Sequence, residues 1–180
     1  MNDITLIPVL DSEDTPREDG AVRFVEDPAQ RAAIAQAILA ALPDWFGIPE
    51  STQRYVDECR AQPFFAAVAE DATEANAENA LGFAALKRTG PLAAEIAVMG
   101  VLPSHHRRGI GSSLLRALKA YAKAQGYAFL QVKTVQMGCY DAYDRTNRFY
   151  QRMGFTELEC FPTLWDEHNP CQVYVMALGR

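Results

Sequence analysis

A chain of 180 residues, 49% apolar and 22% charged, suits one soluble globular domain with a full core, and no apolar run reaches membrane-spanning length. A formal net charge of −6 argues against nucleic acid as a partner, because binding a polyanion needs a basic face. The four cysteines, Cys59, Cys139, Cys160 and Cys171, form no Cys-x-x-Cys pair, so neither a zinc site nor a disulfide framework is expected. Reduced thiols fit a cytoplasmic protein, and Met1-Asn2-Asp3 lacks the basic start and apolar run of a secretion signal.

Residues 1–20 are acidic, carry Pro8 and Pro16, and read as a loose arm preceding a domain over 21–180. Val22 to Val25 suits a short first strand. Asp27-Pro28 starts a helix well, with a capping carboxylate followed by proline at the first helical position, and Ile34, Ile38, Leu39 and Leu42 share one face. Pro43 and Gly47 break it, and Pro49-Glu50-Ser51 starts a second helix reaching about Arg60. Phe64 to Glu70 reads as a strand, the acidic Asp71 to Asn79 as a solvated loop, and Ala80 to Lys87 as the return strand. After the turn Arg88-Thr89-Gly90-Pro91 come a strand over Glu95 to Leu102, a helix over Gly109 to Gln125 and a central strand over Phe129 to Val135. A helix over Asp141 to Met153 and two strands, Phe155 to Phe161 and Gln172 to Leu178, complete the chain. This order describes an α/β (α+β) fold with a mixed sheet and helices packed on its faces.

The run His105-His106-Arg107-Arg108-Gly109-Ile110-Gly111 joins a strand to a helix. Its glycines let the backbone approach a ligand closely, the helix start supplies unpaired N–H groups and partial positive charge, and two arginines stand beside it. A phosphate or pyrophosphate would be held well there; a glycine turn with no ligand is the alternative. The run is not a dinucleotide fingerprint, because Leu114 stands where a third glycine belongs, and no Gly-Lys-Ser/Thr follows to make a P-loop. His105 and His106 are adjacent, so their side chains diverge, and no further ligand lies at metal spacing; no metal is expected.

Val98-Met99-Gly100-Val101-Leu102-Pro103, leading into Arg107-Arg108-Gly109-Ile110-Gly111-Ser112-Ser113, resembles the acetyl-CoA-binding motif of the GCN5-related N-acetyltransferases, Gln/Arg-x-x-Gly-x-Gly/Ala. His106 stands at the Gln/Arg position, a departure. Thr146-Asn147-Arg148-Phe149-Tyr150-Gln151-Arg152-Met153-Gly154-Phe155 is similar to the family's second signature, Ala-x-x-Phe-Tyr-x-x-x-Gly-Phe, with Thr146 replacing alanine. The likeness runs from about Phe64 to the C-terminus.

The resemblance implies a single-domain fold with a mixed, mostly antiparallel six- to seven-stranded sheet and helices on both faces, and acetyl-CoA as cosubstrate without a metal. It implies that backbone groups of Met99 and Val101, with Gly100 between them, line the pantetheine. The turn from His106 through Arg107, Arg108, Gly109, Ile110 and Gly111 to Ser112 would hold the pyrophosphate, and Asn147 the pantetheine or acetyl group. Gly100 interrupts an apolar strand, which marks a bulge, a close backbone approach or packing against a helix. An alkylammonium is only about one part in a few thousand neutral at pH 7, so a base assists attack on the thioester. Glu95 occupies a family position that in some members holds the catalytic glutamate, and it would act through water; a solvent-facing or salt-bridged glutamate is the other reading. Tyr150 matches the general acid that protonates the departing thiolate, against a plain core tyrosine.

In this fold the first two helices and the loop before the last strand line the acceptor site, which would bring Trp45, Phe46, Tyr55, Trp165 and Asp166 to it, with Asp44, Glu50 and Glu167 nearby. Aromatic walls with carboxylates suit a small cationic primary amine, although Trp45 and Phe46 would equally cap the core at the Pro43–Gly47 turn. The expected function is direct acetyl transfer from acetyl-CoA to such an amine. A non-catalytic coenzyme A sensor and a protein or peptide N-acetyltransferase are the alternatives. No membrane partner is expected, and a homodimer is among the expectations because related folds often form one.

Overall fold

The computed structural model describes residues 20–179, so all but the last residue of the expected N-terminal arm lies outside the described residues. The helix starts follow from local chemistry. Asp27 caps α1 (Pro28–Ala40): its carboxylate accepts from the N–H groups of Ala29 and Gln30 at 3.1 and 3.2 Å, and Pro28 brings no N–H to satisfy. Helix α2 (Pro49–Cys59) also begins on proline, with Glu50 in its first turn. Helices α3 (Ile110–Ala124) and α4 (Asp141–Arg152) follow the expected bounds to within a residue or two.

Among the described residues, seven strands form one sheet: β1 (Ala21–Phe24), β2 (Phe64–Val68), β3 (Ala80–Arg88), β4 (Ala93–Val101), β5 (Phe129–Val135), β6 (Thr156–Asp166) and β7 (Asn169–Ala177), in the order β1-β2-β3-β4-β5-β7-β6. Neighbours are antiparallel except β4 and β5, which run parallel and are joined by the α3 crossover. Strand alternation divides the core. Phe65, Ala67, Ala84, Leu86, Leu130 and Val132 pack with Leu114, Leu115 and Leu118 of α3, and with Tyr150 of α4. Phe64, Ala66, Val68, Phe83 and Ala85 pack with Ile34, Ile38 and Leu39 of α1, and with Val56 of α2.

Two features differ from the expected pattern. The loop expected between Phe161 and Gln172 is instead a long hairpin, because β6 runs on to Asp166 and β7 starts at Asn169. Pro162 fits there because β6 is the sheet edge, where a missing N–H breaks no inner ladder, and pairing lapses between Phe161 and Asp166. The β4 irregularity falls at Ala97 rather than at Gly100: Ala85 pairs Val98 and Leu86 pairs Ile96, leaving Ala97 as an extra residue. The bulge reverses the alternation, so Ile96 lies in the α3 core and Val98 in the α1 core. Gly100 meets α1. A Cβ there would stand 2.9 Å from Leu42 Cδ1 and 3.0 Å from Ile38 Cγ2, so helix packing explains the glycine.

Candidate functional site

Strands β4 and β5 pair only from Ala93–Phe129 to Ile96–Val132. Beyond that point β4 continues to Val101, while β5 stays with β7 through Lys133–Val173, Thr134–Gln172 and Val135–Cys171. A wedge therefore opens between the two strands, starting at the Ala97 bulge. The Leu102 N–H donates to the Leu81 carbonyl at 2.9 Å. By the alternation of an antiparallel ladder, Met99 and Val101 then turn their own N–H and C=O groups away from β3 and into the wedge. The Val101 carbonyl accepts a hydrogen bond from His106 Nε2 at 2.8 Å, which requires the Nε2–H form of the ring.

The end of the wedge faces the start of α3. Gly109 caps that helix with φ 82°, a left-handed conformation suited to glycine, and Arg107 before it has φ 61°. No side chain caps the helix, so its first-turn N–H groups point outward with the positive end of the dipole, flanked by the exposed Arg107 and Arg108. A Cβ on Gly111 would stand 3.4 Å from Phe149 Cζ and 3.5 Å from Met99 Cε, so its bare backbone seats α3 against both. Ile110 is buried in the α3 core and Ser112 lies at the surface side of the same turn, partly exposed. An extended ligand with an anionic end fits this arrangement: backbone donors and acceptors along β4, then an uncapped helix terminus with two cations.

Tyr150 is 6% exposed, its ring set against Phe149, Phe155 and Tyr174 at centroid distances of 5.3, 5.6 and 6.4 Å. Its hydroxyl has no hydrogen-bond partner among the described residues, and burial raises the phenol well above its ordinary value. Asn147, expected at the ligand, is committed to the fold. Its Nδ2 donates to the carbonyls of Val135 (2.9 Å) and Tyr143 (2.7 Å), and its Oδ1 accepts from the Tyr174 hydroxyl at 2.8 Å. It is fully buried and ties α4 to the last residue of β5, leaving no amide hydrogen for a ligand.

Both departures from the resembled motifs meet at Trp45. His106 approaches the indole edge-on at 6.1 Å, and Thr146 Oγ1 accepts from Trp45 Nε1 at 3.1 Å. Arg145 stands over the ring at 6.0 Å, and the Tyr143 hydroxyl donates to the Trp45 carbonyl at 2.9 Å. The indole thus bridges the β4–α3 turn and α4. Phe46 packs edge-on against Tyr55 at 5.9 Å.

Glu95 lies on the α1–α2 side of the sheet and is 3% exposed. Its Oε1 meets Lys87 Nζ at 2.9 Å, and its Oε2 meets Lys133 Nζ at 2.6 Å and Gln131 Nε2 at 2.8 Å. Burial alone would raise this carboxyl; the hydrogen bonds and charges of Lys133 and Lys87 outweigh it and hold the group below the usual glutamate range. Of the readings open in the sequence, the geometry is that of a salt-bridged glutamate. Tyr55 is close enough to feel Lys87 and Glu95; burial pushes its phenol up and the Lys87 charge opposes that. Tyr143, beside Tyr55, is pushed up to about 12, chiefly by burial.

Trp165 and Asp166 sit at the tip of the β6–β7 hairpin and are not brought to this cluster by any contact among the described residues. Trp165 is 45% exposed. Asp166 closes the turn, accepting from the N–H groups of His168 and Asn169 and from Asn169 Nδ2 at 2.8–2.9 Å, bonds that lower its carboxyl. Sequence reasoning missed Lys87, Gln131, Lys133 and Tyr143. The available signal was the pair Gln131 and Lys133 on one face of an otherwise apolar inner strand, since polar side chains there need a partner. No group of three or more His, Cys, Asp or Glu able to hold a metal occurs among the described residues, and no described helix is long and apolar enough to cross a membrane.

Comparison with known proteins bears on this geometry. Residues 62–157, more than half of the chain, match the family model of the acetyltransferase (GNAT) domain. No curated protein matches the chain significantly. Among solved structures, a GNAT-family protein from Desulfovibrio desulfuricans is similar with a TM-score of 0.71 at 19% identity, over 88% of this chain and 99% of that one. The Salmonella typhimurium protein yncA, solved with its cofactor acetyl-CoA, is similar with a TM-score of 0.66 at 18% identity, over 91% and 96% of the two chains. An aminoglycoside 6'-N-acetyltransferase from Enterococcus faecium is similar with a TM-score of 0.65 at 16% identity, over 89% and 98%.

Proposed function

As the chain belongs to the GNAT family of acetyltransferases, we propose that it is an acetyl-CoA-dependent N-acetyltransferase acting directly on the primary amine of a small molecule. The observation that carries this reading is the wedge between β4 and β5, which leads from the Ala97 bulge to the uncapped start of α3.

Acetyl-CoA supplies the thioester as acyl donor. Met99 and Val101 offer wedge-facing backbone groups to the pantetheine amides, with His106 yielding the Val101 carbonyl or sharing it. The α3 N–H groups from Ile110 to Ser112, with Arg107 and Arg108, hold the pyrophosphate. Next to the bulge, a β4 N–H without a β5 partner is placed to donate to the thioester oxygen as negative charge develops there. Tyr150 keeps its proton at every physiological pH because burial raises its phenol. Such a phenol is a weaker acid than a thiol, so Tyr150 donates a hydrogen bond to the departing sulfur, and passes its proton on as the attacking nitrogen resupplies it.

Two expectations are reassigned. Glu95, held ionised between lysines, is a poor proton acceptor, and we give it the part of orienting Lys87 and Lys133 rather than of deprotonating the amine. Asn147 positions α4, and with it Tyr150, rather than touching the cosubstrate. The lining of the acceptor site is then Tyr55 and Phe46 from the α1–α2 side, with Trp45 at its border.

Calorimetric titration with acetyl-CoA, with ATP as comparison ligand, tests the reading. Micromolar binding of acetyl-CoA and none of ATP is expected, followed by release of free thiol when amines are added. Binding of neither ligand, or tight cosubstrate binding without thiol release across a broad amine panel, would overturn it.

A further inference from the structure

The ion-pair cluster nearest the wedge on its acceptor side carries more positive than negative charge. Lys87, Glu95 and Lys133 come from three adjacent strands and point to the same face, giving two ammonium groups to one carboxylate. The carboxylate is buried, whereas the lysine side chains keep 39% and 29% of their surface exposed. Glu95 therefore acts as a fixed anchor beneath, and the cations are the groups that a ligand meets. Each ammonium has three N–H donors and bonds one protein acceptor among the described residues, so donors remain on both. Gln131 adds a hydrogen bond to Glu95 Oε2, which fixes the anchor without adding charge. The other charges reaching the neighbouring Tyr55, Arg54 and Glu58, are of opposite sign and offset each other.

The position of this surplus charge matters as much as its sign. Ile96–Val132 is the last β4–β5 pair, so Lys133 is the first β5 residue past the point of separation. Its backbone stands at the mouth of the wedge and its side chain on the face opposite α3, with the ammonium held on Glu95 Oε2, near the place where a thioester held beside the Ala97 bulge would present its carbonyl. A cationic acceptor would bring further positive charge to two ammonium groups already sharing one counter-charge. A small acceptor with an anionic group near its amine would complete the charge set.

Building on the acetyltransferase reading, we propose that the acceptor is an amine bearing a carboxylate close to the reacting nitrogen, an amino-acid-like molecule, and that Lys133, assisted by Lys87, is the residue pair that selects it. Lys133 and Lys87 donate to the acceptor carboxylate while the amine is directed past Lys133 toward the wedge. Charge-assisted bonds from an ammonium to a carboxylate are among the stronger polar contacts a site can offer, and a decarboxylated analogue leaves them unmade.

The test uses the full chain in complex with coenzyme A, titrated with a panel of L-amino acids, each paired with the amine left on its decarboxylation. At least one amino acid is expected to bind about tenfold or more tighter than its decarboxylated partner. Lys133→Gln should remove most of that preference and Lys133→Arg should retain it, with coenzyme A affinity equal in all three proteins. The glutamine variant keeps Glu95 bonded to Lys87 and Gln131, so the fold persists, and the unchanged coenzyme A affinity verifies it. Equal or tighter binding of the decarboxylated amines, a preference that survives Lys133→Gln, or no binding of any amino acid to the complex would each overturn the proposal. Failure of coenzyme A itself to bind the native chain would instead overturn the acetyltransferase reading, and it is read in a separate first titration.

Discussion

On the α3 side of the wedge, the groups poised to meet a ligand are mostly main-chain: the turned-out amides of Met99 and Val101 and the first N–H groups of α3. On the opposite side they are side chains, Lys87, Glu95, Gln131 and Lys133, delivered by the consecutive strands β3 and β4 and by β5, which lies far from them in sequence. The first arrangement depends on backbone conformation and on the apolar contacts that fix it. The second depends on charge balance within a partly buried cluster. On the proposed reading, cosubstrate recognition, common to any acceptor, rests on the backbone, and acceptor recognition on exchangeable side chains.

Substitutions that test this contrast should differ in what they change. The largest effect is expected for Tyr150→Phe, which removes only the hydroxyl that the proposed mechanism uses: turnover should fall about a hundredfold or more with coenzyme A affinity retained, read by thiol-release kinetics. Next comes Asn147→Ala, which leaves the Val135 and Tyr143 carbonyls and the Tyr174 hydroxyl without their buried partner. Urea unfolding should show a loss of about 2–4 kcal/mol, with turnover lowered as α4 loosens.

Glu95→Gln probes the other side of the wedge. Removing the anchor leaves two partly exposed lysines without a counter-charge, for a loss of about 1–2 kcal/mol after solvent screening. The pH dependence gives its signature. The folded Glu95 carboxyl lies below its unfolded value, so its stabilisation is complete above the unfolded value, about 4.3, and is lost as pH falls through the lower folded one. Urea melts taken from pH 6 downward should show the native chain losing stability in that acid range, and Glu95→Gln losing less.

Gly109→Ala forces a side chain onto a left-handed residue, at a cost of about 1 kcal/mol. Calorimetry should show weaker acetyl-CoA binding with the acceptor KM unchanged, which would keep the two sides separable. The smallest effect belongs to Asp166→Ala. Its carboxylate closes the hairpin turn, so steady-state kinetics should show the acceptor KM unaltered. A marked rise in that KM would return the hairpin tip to the acceptor site and blur the comparison.

Much of the architecture was legible in the residues because it is set locally. Asp27-Pro28 starts α1 by capping and by the missing N–H, Gly109 precedes α3 because the turn needs a left-handed residue, and Phe129–Val135 reads as an inner strand from its apolar content. The hairpin tip was less legible, because whether Pro162 sits in a loop or on an edge strand depends on which strand lies at the edge.

What the sequence by itself determined is the order of elements, the glycine turn and the two motifs whose spacing matches a family, since these rest on conformational preferences within a few residues. Only the tertiary structure decided where β4 and β5 part, that the bulge falls at Ala97, and that Gly100 is a glycine because α1 crosses it. It also decided that Asn147 locks α4 and that Glu95 stands between two lysines. The physical reason is that register and charge pairing join residues 36 and 38 positions apart, as Glu95 with Gln131 and Lys133, through strand neighbours that no local pattern specifies.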